Sequence, residues 1–434
     1  MPAEGRRSWN REFRSLPLPS SMPTVESRPK PLPPMAAVSL FGFASGLPLL
    51  LTNSTLQAWM KDSHVDLGLI GLSALIGLPY NLKFIWSPIL DRFTPPFMGR
   101  RRGWILIFQM ALVFGLCAMA YSDPHTGLGT IAGLAVLVAF FSASQDIVID
   151  AYRTELLPEK DLGLGSSLNI NFYRGAMLVG GAFALWLSDH TSWRVVYLVM
   201  AAMMLPGMLT AWFAPEPLHT RAPKTLTEAV VRPFTEFFSR RGALEMLAFT
   251  ILYKLGDMLA AALNTVFLMT LDFSKTEIGL ATKGLGLASL LLGAFLGGLV
   301  MKRWTLKRAL LVFGLLQASS ISAPYFLALI GHNRRLMLTT IGLENFCFGT
   351  GMVAYAAFLM RICDKRMTAT QYALLSSLFA LTRTLFSSPA GQLVKWMGWP
   401  GFFLLCMAIS VPGLLMLMRY DRWQMPEEVL SPES

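Results

Sequence analysis

The strings LPGML (205–209) and VPGLL (411–415) are two near-copies of one short sequence, and their positions decide how the chain is organised. Each copy lies in the last apolar run of one half of the chain. A tryptophan precedes both copies by the same number of residues, so the match extends beyond the string itself. This recurrence indicates an internal duplication. The pairs that recur at one constant separation are Trp193 with Trp399, Pro206 with Pro412, and Gly207 with Gly413.

Further matches lie in the apolar run before each string. Ser166 and Ser167 correspond to Ser376 and Ser377, and Arg174 corresponds to Arg383, at slightly larger separations that a change in loop length explains. The chain is therefore predicted to contain two halves of the same design.

The composition of the chain excludes several classes of protein. Of its 434 residues 54% are hydrophobic and only 15% are charged, whereas a soluble protein carries about 25% charged residues. A disordered chain, a collagen-like fibre and a disulfide-stapled secreted module do not fit. A soluble enzyme does not fit either, because several apolar runs exceed the roughly 18 residues typical of a membrane span.

Hydropathy predicts twelve membrane-spanning segments, so the expected fold is an all-α integral membrane protein with two six-helix bundles. We expect a flexible cytoplasmic tail at 1–34, bundles at 35–213 and 244–418, a cytoplasmic linker at 214–243 with an interfacial helix, and a cytoplasmic tail at 419–434. The first apolar run is too long for a signal peptide. The predicted spans are 36–60, 67–90, 103–121, 128–150, 165–187, 194–213, 244–270, 277–301, 308–330, 336–362, 371–394 and 400–418.

The net charge of +11 predicts the orientation of these spans. Most of the 37 Lys and Arg residues fall in the amino-terminal tail and in every second loop. Positive residues are enriched on the cytoplasmic side of membrane proteins, so both termini are predicted to be cytoplasmic. In the linker, Arg232, Arg240 and Arg241 are expected to face lipid headgroups beside an apolar stripe.

Ionisable residues inside the predicted spans are the first candidates for function. Each charge at the bilayer centre costs about 2.5–3.5 kcal/mol on insertion scales, so such residues face a cavity or pair with one another. Lys254 and Asp257 are three residues apart on one helical face. They form either a self-neutralised structural pair or a functional one. The other intramembrane charges are Lys83, Asp146, Arg174, Lys283, Glu344 and Arg383.

Polar residues near these charges define a predicted binding surface. Asn171 and Arg174 share a helical face, with Tyr173 beside them, and Asn53 lies one turn before Gln57. Cations combined with amides and phenols suit an anionic ligand rich in hydroxyl or amide groups, although packing explains any single aromatic ring. The predicted substrate-binding residues are Asn53, Gln57, Tyr80, Lys83, Gln145, Asn171, Tyr173, Arg174, Lys254 and Asn345.

Three buried acids are predicted to carry protons. Desolvation favours the neutral form of a carboxylic acid, which lets Asp146 take up and release a proton during transport. Asp257 and Glu344 are the other two candidates. The alternative for Asp146 is a permanent ion pair with Lys83 or Arg174.

Other chemistry finds no support in the sequence. There is no Walker loop, HExxH or GxSxG motif, and no metal-ligand spacing, so we expect neither an enzyme nor a metal or organic cofactor. Basic residues flank spans instead of alternating with aromatics, which argues against nucleic-acid binding. The energy source is therefore predicted to be a gradient, with protons as the coupling ion, or the substrate itself.

Several strings resemble a known family. LDRFTPPFMGRRRGW (90–104) resembles the loop between spans 2 and 3 of major facilitator transporters. Its TPPFMG insertion departs from the general superfamily pattern. Seven further strings together resemble the anhydromuropeptide permease family (AmpG-type). They are GFASGLPLLLT (42–52), LQAWM (56–60), KFIWSPILDR (83–92), SASQDIVIDAYRTELLP (142–158), APEP (214–217), LYKLGD (252–257) and ATQYALLSS (369–377).

The resemblance implies a proton-coupled importer in the bacterial inner membrane. Its cargo would be N-acetylglucosamine linked to 1,6-anhydro-N-acetylmuramic acid, with or without a peptide, for peptidoglycan recycling by alternating access. An indirect link to β-lactamase induction is also implied. Gln145 with Asp146, and Lys254 with Asp257, would be the family's intramembrane polar pairs. The predicted cytoplasmic gate comprises Asp91, Arg92, Arg100, Arg101, Arg102, Asp150 and Arg153.

Two alternatives remain open. The first is a transporter of another anionic solute, such as an acyl-coenzyme thioester or a sugar phosphate. The second is a non-transporting membrane receptor, and a membrane-embedded enzyme belongs to the same rival class. The expected partners are the small-molecule substrate and membrane lipids, with no nucleic acid, and the expected state is a monomer.

Overall fold

The architecture is described from a computed structural model that covers residues 31–123, 127–217, 223–387 and 389–425. The described chain is helical, with no strand in these ranges. Ten of its helices are long and apolar enough to cross a membrane. The other two predicted spans are residues 67–90, which form a series of short helices, and residues 371–394, which begin with the helix Thr368–Ser387. The two predicted tails lie mostly outside the described residues.

The first half contains spans 1 to 6, and several are broken. Span 2 alternates short α-helices with 3-10 turns, and a π-helix interrupts span 5. The helices are Pro34–Leu51 and Ser54–Asp62 in span 1; Leu67–Leu72, Ser73–Gly77, Leu78–Leu82, Lys83–Ile85 and Ser87–Arg92 in span 2; Arg100–Ala120 in span 3; Leu128–Leu156 in span 4; Glu159–Asp161, Leu162–Leu178, Val179–Phe183 and Ala184–Ser188 in span 5; Trp193–Ala202 and Leu205–Phe213 in span 6.

The second half contains spans 7 to 12. Gly398 has a φ of +70°, and this non-helical residue separates the end of span 11 from span 12 within the segment Ala390–Met416. The helices are Ala243–Ala262 and Asn264–Thr270 in span 7; Lys275–Gly279, the π-helix Leu280–Gly286 and Leu287–Met301 in span 8; Leu306–Ser320 and Ser322–Ile330 in span 9; Arg334–Ile362 in span 10; Thr368–Ser387 and the start of Ala390–Met416 in span 11; the rest of Ala390–Met416 with Leu417–Arg422 in span 12.

The duplicated glycines occupy corresponding places in the two halves. A Cβ on Gly207 would lie 2.9 Å from the Cβ of Ala44 in span 1, and a Cβ on Gly413 would lie 2.8 Å from the Cα of Tyr253 in span 7. Glycine thus lets the last span of each half approach the first span of the same half closely. This packing agrees with the duplication that the sequence predicts.

The π-helix in span 5 has a similar packing role. Its residue Gly180 approaches Leu47 of span 1 so closely that a Cβ would lie 2.6 Å from the Leu47 carbonyl oxygen. The carbonyl of Gly180 accepts a hydrogen bond of 2.7 Å from Thr55 Oγ1. This hydrogen bond joins the second helix of span 1 to the π-turn of span 5.

The predicted interfacial helix spans Leu226–Ser239. Thr225 caps its first turn by accepting a hydrogen bond of 3.0 Å from the backbone N–H of Glu228. One expectation is wrong: Arg240 is only 7% exposed and donates to Glu236 and to the carbonyl of Ile362, so it does not face headgroups. The helix is therefore fastened to the second half through Arg240.

The start of the predicted tail at residue 419 is also ordered within the bundle. Leu417–Arg422 continues span 12 as a 3-10 helix, and Trp423 is 5% exposed. The indole Nε1 of Trp423 donates to Glu245 at 2.9 Å. The second bundle therefore extends to Trp423.

Candidate functional site

A cavity of about 350 Å³ lies between the two halves. The first half supplies its charged and polar wall, whereas the second half supplies a wall that is mainly apolar and aromatic. Its lining residues are Ser45, Lys83, Asp146, Asp150, Arg153, Asn169, Ile170, Tyr173 and Arg174 from the first half, and Leu290, Phe348, Gly349, Met352, Ala356, Tyr372 and Phe379 from the second. We call this space the inter-half cavity.

The predicted pair on span 4 divides between two roles. Asp146 lines the cavity and accepts a hydrogen bond from Ser45 on span 1. Gln145 is completely buried and donates through Nε2 to the carbonyl of Ala44 at 3.0 Å. Gln145 therefore fastens span 4 to span 1 behind the cavity, and the prediction that it contacts substrate does not fit this placement.

A network of charges forms one end of the cavity. The Nζ of Lys83 lies 3.9 Å from Asp150, and Arg153 pairs with the same carboxylate at 2.9 Å. Arg153 also donates to Asn169 at 2.8 Å and to the Tyr372 hydroxyl at 3.0 Å. The ion pair of Lys83 therefore goes to Asp150 in this structure and not to Asp146, whereas the alternative pair of Asp146 with Arg174 stays a prediction.

Span 5 contributes a cation and a phenol. Arg174 and Tyr173 both line the inter-half cavity. Asn171 lies outside this lining, and its Oδ1 is buried without a hydrogen-bond partner among the described residues. Span 5 therefore contributes Arg174 to the cavity lining. Asn171, which was predicted to share a helical face with Arg174, does not line this cavity.

A smaller cavity of about 100 Å³ lies within the second half. Asp257, Glu344 and Asn345 line it together with Phe348. The Nζ of Lys254, fully buried on span 7, lies 3.5 Å from the carboxylate of Asp257. We call this space the acid cavity. It brings together two of the three predicted proton carriers, and Asp146 belongs to the other cavity.

Asp91 links the two halves at one end of the bundle. Its carboxylate accepts hydrogen bonds from the backbone N–H of Thr370 at 2.8 Å and of Ala369 at 3.3 Å, and from the Thr370 hydroxyl at 2.8 Å. Because Thr370 belongs to the first turn of span 11, Asp91 of span 2 caps a helix of the opposite half. We call this end, where Asp91 meets Thr370, the gate end.

Arg101 organises the same end from span 3. It donates to Asp91 at 2.7 Å and also pairs with Glu155 of span 4. Arg100 lies 3.3 Å from Glu155. These three residues and Asp91 form one buried charged cluster, in which arginines lie opposite carboxylates; their role as a gate stays a prediction.

Two of the predicted gate residues have other roles. Arg102 donates to the carbonyls of Ala211 at 2.8 Å and Trp212 at 2.6 Å, so it joins spans 3 and 6 of the same half. The guanidinium of Arg92 lies over the ring of its neighbour Phe93, 5.4 Å from the centroid. The structure places neither of them in a link between the halves.

Further contacts between the halves accompany the Asp91 cap. Arg361 pairs with Glu159 at 2.9 Å, and Arg153 contacts Tyr372. Gly163 at the start of span 5 packs against Met301 at the end of span 8, where a Cβ on the glycine would lie 2.5 Å from the Met301 Cβ. The gate end therefore combines polar and apolar contacts.

Glu216, in the linker, caps span 3. Its carboxylate accepts hydrogen bonds from the backbone N–H groups of Arg101 at 2.8 Å and Arg102 at 3.1 Å. Burial raises the pKa of Glu216, and these two hydrogen bonds lower it only in part. The APEP string thus has a structural role that sequence reasoning did not assign.

Three predicted binding residues near spans 1 and 2 lie outside both cavities. Asn53 is exposed beside the break in span 1, and Gln57 donates to Ser73 at 3.2 Å. The Tyr80 hydroxyl is buried without a hydrogen-bond partner in the described chain. Lys283, predicted as a buried cation, is exposed. The Arg383 side chain lies outside the described residues.

Sequence reasoning missed several residues that the structure places in these sites. They include Ser45, Glu155, Asn169, Gln317 and Tyr372. One signal was available: Gln109 and Gln317 recur at nearly the separation of the duplicated strings. The remaining residues are ordinary polar residues on helices, and only the packing reveals their role.

Comparison with known proteins decides the family. Residues 36–381 match the family model of the Major Facilitator Superfamily. The anhydromuropeptide permease of Escherichia coli K12 is 45% identical over 89% of this chain and 79% of that protein. The chain belongs to the anhydromuropeptide permease family of the Major Facilitator Superfamily. It is therefore a membrane transporter and not an enzyme.

Other relatives and solved structures agree. An uncharacterized protein of Haemophilus influenzae is 39% identical over 88% of this chain and 93% of that protein. The putative transporter AmpG 4 of Rickettsia felis is 32% identical over 89% of this chain and 96% of that protein. The proton:xylose symporter XylE, covering 90% of this chain and 95% of its own, has a TM-score of 0.67 at 10% identity. The structure of FucP in the outward conformation matches over 88% of this chain and 98% of the FucP chain, with a TM-score of 0.64 at 13% identity. At such identities these structures support the fold alone.

Proposed function

We propose that this transporter imports anhydromuropeptides, N-acetylglucosamine linked to 1,6-anhydro-N-acetylmuramic acid with or without a peptide, from the periplasm to the cytoplasm by alternating access. Protons supply the energy, and no other cofactor is involved. The protein acts as a monomer in the bacterial inner membrane, with both termini in the cytoplasm. Its role is peptidoglycan recycling, with an indirect effect on β-lactamase induction.

The observation that carries this proposal is the asymmetric lining of the inter-half cavity. Muropeptides carry carboxylate, amide and sugar hydroxyl groups, and they also present apolar ring faces and methyl groups. Lys83 and Arg174 supply positive charge on one wall, while Phe348, Phe379 and Met352 form the opposite wall. Ligand sites commonly combine such an apolar wall with a few polar groups, in volumes of about 300–1,000 Å³.

The relative from Escherichia coli supports the same substrate class, because its name is anhydromuropeptide permease and it is similar along 89% of this chain. The strings that suggested the family contain cavity residues, among them Lys83 and Asp146.

Asp146 is the proposed proton carrier nearest to the substrate. It lies in the inter-half cavity, shares its hydrogen bond with Ser45, and has Asp150 one helical turn away on span 4. Two carboxylates so close together repel one another when both are charged, and this repulsion favours protonation of one of them. Lys83 and Arg153 offset the charge of Asp150.

Uptake by purified protein in liposomes tests the proposal. Labelled N-acetylglucosamine–anhydro-N-acetylmuramic acid is expected to accumulate when the outside is made more acidic than the lumen, and an uncoupler is expected to abolish the accumulation. Asp146→Asn is expected to remove the response to the pH gradient. Asp272→Asn, an exposed acid outside both cavities, is the matched control and is expected to transport normally.

Four outcomes contradict the proposal in different ways. Accumulation that is unaffected by an uncoupler excludes proton coupling. Normal gradient-driven uptake by Asp146→Asn excludes the assigned residue. Competition by an acyl-coenzyme thioester or a sugar phosphate, without competition by muropeptide, identifies another anionic cargo, and binding without accumulation identifies a receptor.

A further inference from the structure

Phe348 on span 10 is shared by the two cavities described above. It lines the acid cavity with Glu344 and Asn345, which precede it by about one helical turn. It also lines the inter-half cavity with Gly349 and Met352, which follow it. The ring of Phe348 therefore lies at the boundary between a cavity that contains two acids and the cavity proposed to hold substrate.

The backbone that follows Phe348 on span 10 is held in place by close packing. A Cβ on Gly349 would lie 2.3 Å from the carbonyl oxygen of Leu290 on span 8, and a Cβ on Gly351 would lie 1.9 Å from Oε1 of Gln317 on span 9. Span 10 is thus in direct contact with both neighbouring spans at this level. A change at the boundary must come from the Phe348 side chain or from the groups that touch it.

Lys254 connects this ring to the acid cavity. Its Nζ lies 4.7 Å from the centroid of the Phe348 ring and 3.5 Å from the carboxylate of Asp257. A cation at this distance from an aromatic face is attracted to it. Gln317 donates to the same carboxylate at 2.5 Å. The buried ammonium is therefore positioned by Asp257 and by the ring of Phe348 together.

We propose that Phe348 is the partition that separates the proton site of the second half from the substrate cavity, and that Lys254 holds it in position. This inference rests on the proposed proton coupling. Coupled transport needs the two sites to communicate through the protein without a continuous path of water between them. Among the described residues Phe348 is common to both linings, and the bulk of its ring supplies that separation.

Charged and titratable groups lie on both sides of the partition. They are Asp257, Lys254, Glu344, Tyr253 and Cys347 in and around the acid cavity, and Lys83, Asp146, Asp150, Arg153, Tyr173, Arg174 and Tyr372 at the inter-half cavity. Since acids and bases are present on both sides, a water path between them would carry protons without substrate.

Removal of the ring is expected to open this path. Phe348→Ala leaves room for about three water molecules of ~30 Å³ each, and joins the two cavities. Phe348→Leu keeps most of the bulk but loses the aromatic face. Phe346→Ala is the matched control, because Phe346 lies on the same span and is absent from both linings.

The test uses liposomes and compares two measurements on the labelled disaccharide: its uptake driven by a pH gradient, and its counterflow exchange. With the membrane potential clamped at zero, one pH unit supports about tenfold accumulation per coupled proton. Wild type and Phe346→Ala are expected to accumulate labelled disaccharide to a similar ratio, and Phe348→Leu is expected to lose less of this ratio than Phe348→Ala. Phe348→Ala is expected to fall toward a ratio of one, to retain counterflow exchange, and to acidify the lumen without substrate, as read by an internal pH dye.

The outcomes distinguish this inference from the proposed function. If wild type shows no response to the pH gradient, the proposed coupling is wrong. If wild type responds and Phe348→Ala keeps the same accumulation ratio without a proton leak, the partition is wrong. If Phe348→Leu loses as much of the accumulation ratio as Phe348→Ala does, the bulk of the side chain is not what separates the cavities. Phe348→Val replaces Phe348→Ala in the same comparison if the alanine variant does not purify as a monodisperse protein.

Discussion

Arg101 is completely buried at the gate end, and its guanidinium is surrounded by hydrogen-bond acceptors and carboxylates. It donates to Asp91 at 2.7 Å, pairs with Glu155, and donates to the carbonyl of Leu90 at 3.3 Å. The planar fork of an arginine presents five donors in a fixed geometry that matches carboxylates, whereas a lysine ammonium is a compact point charge. The middle residue of the RRR string is the centre of the cluster because it pairs with both Asp91 and Glu155.

Loss of Arg101 is therefore expected to be costly. Arg101→Gln leaves Asp91 and Glu155 buried without their main countercharge, and breaking such a buried pair costs about 3–5 kcal/mol. Thermal unfolding in detergent measures the loss. Arg232→Gln is the control, because its pair with Glu228 is partly exposed and is expected to contribute about 1 kcal/mol or less. Equal destabilisation of the two variants would contradict this prediction.

Gly351 provides a second test at the residue scale. A Cβ at this position would lie 1.9 Å from Oε1 of Gln317, so Gly351→Ala displaces Gln317 from Asp257. Overpacking of this kind costs about 1–3 kcal/mol, and denaturation in detergent measures it. Gly342→Ala on the same span is the control, since its nearest neighbour would lie at 3.6 Å. If both variants are equally stable, Gln317 is more loosely packed than the structure indicates.

The candidate residues show what the sequence can predict at this scale. The cost of a charge in the bilayer selected Lys83, Asp146 and Arg174, which line the inter-half cavity, and also Lys283, which is exposed. Asn53 and Gln57 were selected by helical spacing alone, and they lie elsewhere. Spacing shows which residues share a face of one helix, but it does not show which neighbour that face contacts.

At the scale of elements, the irregular spans differ most from expectation. Hydropathy predicts a continuous span 2 and continuous spans 5 and 8, whereas the structure has short turns in the first and π-helices in the others. A hydropathy average is insensitive to a change from α- to π-geometry. The change depends on close contacts such as that between Gly180 and Leu47, which belong to the tertiary structure.

Span 11 depends on a cap from the other half, and this dependence is testable. Asp91→Ala removes the cap, at a cost of about 1 kcal/mol for an N-cap alone, and the gate end is expected to open more often. Spin labels at Lys160 and Lys302, in a background without the native cysteines, are expected to report longer distances. Both positions are exposed, and they lie in opposite halves.

A cap within one half is the control for this experiment. Thr305 accepts a hydrogen bond from the backbone N–H of Arg308 at 3.4 Å, so it caps span 9 inside the second half. Thr305→Ala is expected to leave the label distances unchanged. A similar widening in both variants would show that general helix stability, and not the cross-half cap, controls the gate end.

At the scale of the whole molecule, the apolar core of the described chain consists of three clusters of buried residues. One cluster of buried apolar residues belongs to the first half and another to the second. A third cluster joins both halves and includes Tyr152, Phe249 and Tyr372. Tyr372 also receives the hydrogen bond of Arg153. The halves are thus joined where the gate end is located.

The distribution of Lys and Arg predicts that this gate end faces the cytoplasm. A fluorescent protein fused after Met425 is expected to fluoresce in bacteria, whereas alkaline phosphatase at the same position is expected to be inactive. Phosphatase inserted after Asp123, in the loop between spans 3 and 4, is expected to be active and serves as the positive control. The reverse pattern would show that the orientation rule fails for this chain.

The sequence by itself determined the number of spans, the division into two related halves and the family. A bilayer requires backbone hydrogen bonds to be satisfied within each span, so apolar length alone predicts helices. Only the tertiary structure decided which polar groups meet. Asp91 caps span 11 from the opposite half, Gln317 donates to Asp257, and Phe348 lines two cavities. These contacts depend on how each helix is rotated and bent against its neighbours, and no local pattern contains that information.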